Sequence, residues 1–298
     1  MIDLDCVCLD AKLLSQPTVS AVMAVHQGVD LSYLKESVFS ILGQIDVLFE
    51  FIIIADGPLN DYQYDFLNEI VDQNTNVSFC QLSKNLGPGA ARNFAIDRAR
   101  GRYVAIMDSD DVALPHRLSK QVSYLESHPE VSVVGSSCIV IDEYGQASGS
   151  RCLPLTSKQL FVYAPFFCPL NNPTVMARAK ILKCYPYKEG FRSGEDHRLW
   201  LELLNAGFHL ANIEEPLLKF RIDSDLYKRR VGLHKANTDL LNRVYGLRIV
   251  SVYRKPLVLL VSLMFYVLRF LPVRVVKFMT SWFDSYRTRK MKNNVASK

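Results

Sequence analysis

Apolar runs and amphipathic stretches alternate through the first half of this chain, and that alternation restricts the fold more than any other feature of the sequence. Thr18–Val25 reads as a buried strand, Leu31–Gln44 spaces its apolar residues as an amphipathic helix, and Phe49–Ala55 is a second apolar run, which makes a β-α-β start. The alternation continues with a helix near Tyr62–Val71, a strand at Val77–Leu82, a helix from Pro88 to Ala99 ended by Gly101, and a strand at Tyr103–Met107. A helix at Pro115–Ser127 and a strand at Val131–Ile141 follow. Strands that alternate with helices imply an α/β fold with a mostly parallel sheet covered on both faces. Residues 152–173 contain prolines and read as loops around a site, Val175-Met176 as a strand, and a helix beginning at Glu195 ends before Gly207 with Leu199, Trp200, Leu203 and Leu204 on its apolar face. With 298 residues, one large or two small domains are expected. The divisions expected are a leader at 1–16, a catalytic domain at 17–222 and a basic, amphipathic helical tail at 223–298.

Charge is distributed unevenly. Residues 219–298 hold 18 Lys and Arg against 4 Asp and Glu, whereas residues 1–218 hold 17 against 26. An acidic body argues against a nucleic-acid groove, while a basic tail mixed with apolar residues suits an anionic membrane surface. Leu257–Leu268 is an apolar run broken only by Ser262; it is shorter than the about 20 residues a bilayer span needs. It fits an in-plane or partly inserted helix flanked by Arg254, Lys255, Arg269, Arg274 and Lys277, with a tail helix buried on the catalytic domain as the alternative. Met1–Asp10 is acidic and Leu-poor, unlike a signal peptide. The seven cysteines are odd in number and lack metal-ligand spacings, so a disulfide framework and a structural zinc are both disfavoured and a reducing compartment is expected.

In open α/β sheets ligands bind beyond the carboxyl ends of the strands. Asp56-Gly57 follows one such strand, where it reads as a turn or as a ligand contact, and Asp108-Ser109-Asp110-Asp111 ends another. Three carboxylates in four residues repel one another unless a cation or an array of donors gathers them. Mg2+ or Mn2+, hard ions that bridge carboxylates to a substrate diphosphate, are the simplest cations; a helix N-cap cluster ahead of Pro115 is the alternative. Between these sites, Lys84–Asn93 is a Gly-containing loop that runs into a helix, whose backbone donors and Arg92 suit a nucleotide or its phosphates. It is not a P-loop, because no Gly-Lys-Ser/Thr follows at the required spacing.

The order Val19–His26, Ile53-Ile54-Ala55-Asp56-Gly57, Asn85-Leu86-Gly87 with Ala91-Arg92-Asn93, Asp108-Ser109-Asp110-Asp111 and Glu195-Asp196 resembles the family 2 glycosyltransferases of the GT-A fold, over residues 17–222. More narrowly, Asp56–Asp61, Asn172–Met176 and Asp225–Arg230 resemble the bacterial amylovoran, capsule and O-antigen branch. The resemblance implies that Asp56 contacts the base of a nucleotide-sugar donor, UDP-linked in the favoured case, that Arg92 helps hold the nucleotide, and that Asp110 assisted by Asp108 binds the divalent metal. It makes Asp196 the general base, beside Glu195 at the site. Ala55 stands where many members have a first Asp, and His26 where Tyr is common. The Gln-x-x-Arg-Trp signature of processive synthases is missing, which points to transfer of a single sugar.

Arg221 and Lys228-Arg229-Arg230 form either a solvated basic face or a grip on the donor diphosphate or a lipid diphosphate. His197 reads as helix surface. The expected function is an inverting, metal-dependent transfer to a polyprenyl-diphosphate-linked saccharide, by a cytoplasmic protein peripherally bound to the inner face of the cell membrane. Two other classes compete. A sugar nucleotidyltransferase should carry a basic Gly-rich loop after its first strand, which Ala24–Val29 is not; a non-catalytic, membrane-bound nucleotide-sugar-binding protein would have no need of Asp108, Asp110 and Asp196.

Overall fold

The computed structural model describes residues 7–9, 16–191, 193–222, 231–276 and 278–279. The chain divides into two compact units, Met1–Val134 with Asn172–Arg192, and Gly135–Asn171 with Ser193–Lys298.

The first unit carries the alternation read from the sequence. In chain order its elements are β1 (Val7–Leu9), β2 (Val19–Val25), α1 (Leu31–Leu42), β3 (Phe49–Ala55), α2 (Asp61–Gln73), β4 (Val77–Gln81), α3 (Pro88–Arg98), β5 (Tyr103–Asp108), β6 (Val112–Ala113) and α4 (Arg117–Ser127). Strand β7 (Val131–Ile141) begins in this unit and ends in the second. Strands β4, β3, β2 and β5 are adjacent and parallel, with Val19 opposite Phe49 on one side and Tyr103 on the other. Every residue of β3 is buried, as expected for a strand covered on both faces. The sheet is mixed because β1 joins β4 antiparallel, and β9 (Met176–Arg178) pairs antiparallel with both β5 and the start of β7. Helix α2 begins with a capping box, Asn60 accepting from the Gln63 amide while the Gln63 side chain accepts from the Asn60 amide.

Cys8 lies opposite Cys80 in the β1–β4 register, and the two are joined by a disulfide. They are 72 residues apart, so only the pairing of an edge strand reveals the link.

Glu50 is buried in the middle of the sheet and fully occupied. Its Oε1 accepts from Ser20 Oγ at 2.6 Å and from the Arg100 amide at 2.7 Å, and its Oε2 accepts from Arg100 Nε at 2.9 Å. The Gly101 amide donates to Ser20 Oγ at 2.8 Å. These bonds fix the turn between α3 and β5, the two elements that carry Arg92 and Asp108.

In the second unit, β7 pairs antiparallel with β8 (Ala147–Arg151) and lies beside β10 (His209–Arg221). Residues 152–173, expected to be loop, contain α5 (Ser157–Tyr163), started by a capping box between Thr156 and Gln159. A short helix, α6 (Ala179–Cys184), belongs to the first unit. Helix α7 (Glu195–Asn205) buries Leu199, Trp200, Leu203 and Leu204 as its pattern foretells. Two further helices, α8 (Leu233–Gly246) and α9 (Lys255–Leu268), pack on each other, and α8 packs on α7. Asp239 of α8 is buried and accepts two hydrogen bonds from Arg269, from Nη2 at 2.7 Å and Nε at 2.9 Å, and pairs with Lys235 at 2.9 Å. Burial alone would raise its carboxyl, but Lys235, Arg269 and Arg243 hold it well below the usual carboxylate range.

A side chain at position 101 has nowhere to go, since a Cβ there would lie 2.6 Å from the Ser20 nitrogen and 2.7 Å from the Val19 carbonyl carbon. Overpacking of this kind costs about 1–3 kcal/mol, and each kcal/mol moves the thermal midpoint by about 2–4 °C in chains of roughly this size. Gly101→Ala should therefore melt several degrees early; an unchanged midpoint would mean that the backbone at Ser20 yields.

Candidate active site

The acids flagged in the sequence stand at the carboxyl ends of two parallel strands, β3 and β5, that flank β2. Asp56 follows β3 and is buried. Its Oδ1 accepts from the Leu86 amide at 2.7 Å and its Oδ2 from the Gly87 amide at 3.0 Å, while its own carbonyl accepts from Asn85 Nδ2 at 3.1 Å. One carboxylate thus moulds the loop that opens α3. Burial pushes the Asp56 carboxyl above its ordinary range, opposed by the Leu86 and Gly87 amides and by the charges of His26 and Arg92. The turn after it requires glycine: Gly57 has φ of +89°, and a Cβ there would lie 2.7 Å from the Asn85 nitrogen.

Arg92, on the second turn of α3, donates from Nη2 to Asp108 Oδ1 at 2.7 Å. Its guanidinium also lies 5.6 Å from the ring centre of Tyr187. Tyr187 is itself held: Asn93 bonds both its amide and its carbonyl, at 2.8 and 2.9 Å, and its hydroxyl donates to Asn172 Oδ1 at 2.9 Å. Nothing in the local sequence marks Tyr187 as part of this cluster, because it is 94 residues from Asn93. Asn172-Pro173-Thr174 forms a buried single turn of 3-10 helix leading to β9.

Asp108 and Asp110 are half-buried, whereas Ser109 and Asp111 are buried. Arg117, a residue the sequence reading passed over, lies beneath this acidic turn. It is fully buried, with Nη2 donating to the Ile106 carbonyl at 2.6 Å and Nε to Gln121 Oε1 at 3.1 Å. Burial draws its guanidinium down to about 10, opposed by the charges of Asp111 and Asp108. The crowding of three carboxylates is therefore relieved in part by the chain's own cations, Arg92 and Arg117. Among the described residues no group of three or more His, Cys, Asp and Glu is placed to hold a metal by itself. Magnesium and manganese accept one or two carboxylates and complete their shells from water and substrate phosphate, a role that the hard oxygens of half-buried Asp108 and Asp110 fit.

In the second unit, Glu195 and Asp196 occupy the first turn of α7, with Glu195 buried and Asp196 half-buried. Asp196 Oδ1 accepts from the His197 amide at 2.7 Å, and Cys168 Sγ donates to Oδ2 at 3.7 Å. Burial, reinforced by the Asp196 charge, pushes the Cys168 thiol well above its usual range, so it remains a donor. His197 is not surface, as the sequence suggested: it is buried, its Nε2 lies 2.8 Å from the Ala164 carbonyl, and burial lowers its basicity. Arg221 is also buried, its Nη1 donating to the carbonyls of Asp142 and Glu143 at 3.4 Å, so it is not a solvated basic face. Arg229 and Arg230 lie outside the described residues.

Comparison with known proteins gives this arrangement a family. A family model described as glycosyl transferase family 2 matches residues 20–191. An uncharacterized glycosyltransferase of Methanocaldococcus jannaschii is 36% identical over 225 residues, covering 74% of this chain and 77% of its own length. The amylovoran biosynthesis glycosyltransferase AmsE of Erwinia amylovora is 33% identical over 236 residues, covering 77% of this chain and 85% of its own. Among solved structures, S. aureus TarS 1–349 in complex with UDP-GlcNAc matches with a TM-score of 0.59 at 17% identity, covering 87% of this chain and 82% of that one, a likeness of fold. The matched span takes in the parallel strands together with Asp56, Arg92, Asp108 and Asp110, and the chain belongs to glycosyl transferase family 2.

Proposed function

We propose that this protein transfers one sugar from a nucleotide-sugar donor, a UDP-sugar in the favoured case, to a saccharide carried on a polyprenyl diphosphate, in the synthesis of a bacterial surface polysaccharide. The observation that carries this reading is the Arg92–Asp108 pair set beside the loop that Asp56 moulds, at the carboxyl ends of the parallel strands. The fold shared with TarS, whose structure contains UDP-GlcNAc, and the kinship with AmsE of amylovoran biosynthesis support the donor class and the setting.

In this reading Asp56, at the head of the loop it orders, contacts the base of the nucleotide, Arg92 and Arg221 are assigned to its phosphates and Glu195 to substrate binding; Arg229 and Arg230 keep the same assignment from the sequence. Asp108 and Asp110 would hold a magnesium or manganese ion, which when bound supplies positive charge against the departing diphosphate. Asp196 is the general base: it takes the proton from the acceptor hydroxyl as that oxygen attacks the anomeric carbon opposite the leaving group, which inverts the carbon.

A panel of UDP-, GDP- and dTDP-hexoses, assayed for hydrolysis and transfer, tests the donor class. Asp196→Asn should lower turnover of the active donor by about 10²–10⁴-fold, the range typical of a lost general base, with donor binding retained. A parent-like rate would place the base elsewhere, and an α-linked product from an α-linked donor would refute inversion. EDTA should abolish transfer, manganese or magnesium should restore it, and Asp110→Ala should be folded but inactive; full activity in excess EDTA would end the metal assignment.

The same reading puts the enzyme on the cytoplasmic face of the cell membrane. No described helix is long and apolar enough to cross a membrane. Helix α9 turns Val258 and Ser262 inward and leaves Leu257, Leu260, Leu263, Met264 and Val267 exposed, with Leu260 65% and Leu263 61% accessible. Residues 254–283 contain five Lys and Arg and no Asp or Glu, Arg269 being the one buried against Asp239. An apolar outward face flanked by the other cations complements anionic lipid, where each Lys or Arg at the surface is worth about 1 kcal/mol. The double variant Leu260→Glu with Leu263→Glu leaves the inward face intact, and it should lose flotation with phosphatidylglycerol-containing vesicles at low salt. Flotation equal to that of the parent would rule out this face.

A further inference from the structure

Helix α8 hydrogen-bonds the backbone two residues before each partner of the Asp196–Cys168 contact. Asn242 is completely buried and donates from Nδ2 to the carbonyl of Gly194, the residue just before α7, at 2.7 Å. Its neighbour Arg243, also buried, donates from Nε to the carbonyl of Phe166 at 3.2 Å, two residues before Cys168. Gly194 has φ of +77°, and a Cβ there would lie 3.1 Å from Thr238 Cγ2 and 3.2 Å from Asn242 Nδ2, so α8 comes this close to the turn because no side chain intervenes. The first turn of a helix is where backbone bonds are missing, and an acid placed there follows any fraying of the turn. Asp196 sits in that turn.

We propose that Asn242 and Arg243 are positioning residues for the Asp196 carboxylate, Asn242 acting through Gly194 and Arg243 through Phe166 and the Cys168 thiol. The proposal rests on the assignment of Asp196 as the general base. A base must hold a lone pair within about 2.6–3.2 Å of the proton it takes, and an ångström of displacement can cost about a hundredfold in rate. Two adjacent side chains of one helix fix the two segments that meet at this carboxylate. The Asp239–Arg269 pair in turn holds α8 to the end of α9. All of these residues lie beyond the span of the family match or in its loops, and none carries a motif.

Full-length protein labelled with 13C at aspartate Cγ gives a readout without substrate, the Asp196 resonance being identified by its loss in Asp196→Asn. Asn242→Leu and Cys168→Ala should each move that resonance, and Cys168→Ser, which restores a donor, should bring it back towards its original position. With the sugar nucleotide found active in the panel, Asn242→Leu and Cys168→Ala should lower kcat by about ten- to a hundredfold at unchanged donor KM. If Asn242→Leu does not fold, the Cys168 pair, which leaves α8 untouched, decides. An unmoved resonance and an unchanged kcat in these variants, with Asp196→Asn inactive, would overturn the positioning role and leave the base assignment standing. Full turnover in Asp196→Asn would remove the base assignment, and this proposal with it.

Discussion

A carboxylate taken out of water must be given hydrogen-bond donors or a cation, since an isolated buried charge costs several kcal/mol. Much of this structure is arranged around that requirement. Glu50 collects Ser20 and Arg100 and so sets the turn between α3 and β5. Asp56 collects two consecutive amides and shapes the loop that leads to Arg92. Asp108 faces Arg92, Asp111 lies within the field of Arg117, and in the second unit Asp239 gathers Lys235 and Arg269. The same chemistry serves folding in one place and the candidate site in another, because the carboxyl ends of the strands, where Asp56 and Asp108 stand, are where ligands bind in open sheets.

The core of the first unit was legible because its signals are local. Parallel strands buried on both faces are apolar runs, and β2, β3 and β5 fall within a residue or two of where those runs begin and end. What the sequence hid depends on contacts between distant residues. Helix α5 is short and starts inside a proline-containing stretch, so only its capping box marks it. Strand β10 has Glu214, Glu215 and Pro216 in its middle, which mask a strand of 13 residues. His197 looked like helix surface because its neighbours are charged, yet the carbonyl of Ala164 receives it in the interior.

The candidate site divides in the same way. Asp56, Asp108 and Asp110 were visible as acids following apolar runs, and Arg92 as part of the loop between them. Arg117 and Tyr187 were not visible, because an arginine at a helix start and a tyrosine in a loop have no periodicity to betray them, and each matters through partners elsewhere in the chain. In the basic segment, the apolar run Leu257–Leu268 falls within helix α9, but α8 meets the start of α7 through Asn242, Thr238 and Gly194, which are small or polar residues with no hydrophobic signature.

The edge strand β1 has a consequence for solubility. A sheet that ended on β4 would offer an open row of amides and carbonyls along Val77–Gln81, a template onto which a strand from another molecule could add. Strand β1 occupies that row opposite Phe79–Gln81. Val7–Leu9 thus turn the backbone groups of this edge of the first unit's parallel strands away from pairing with another molecule.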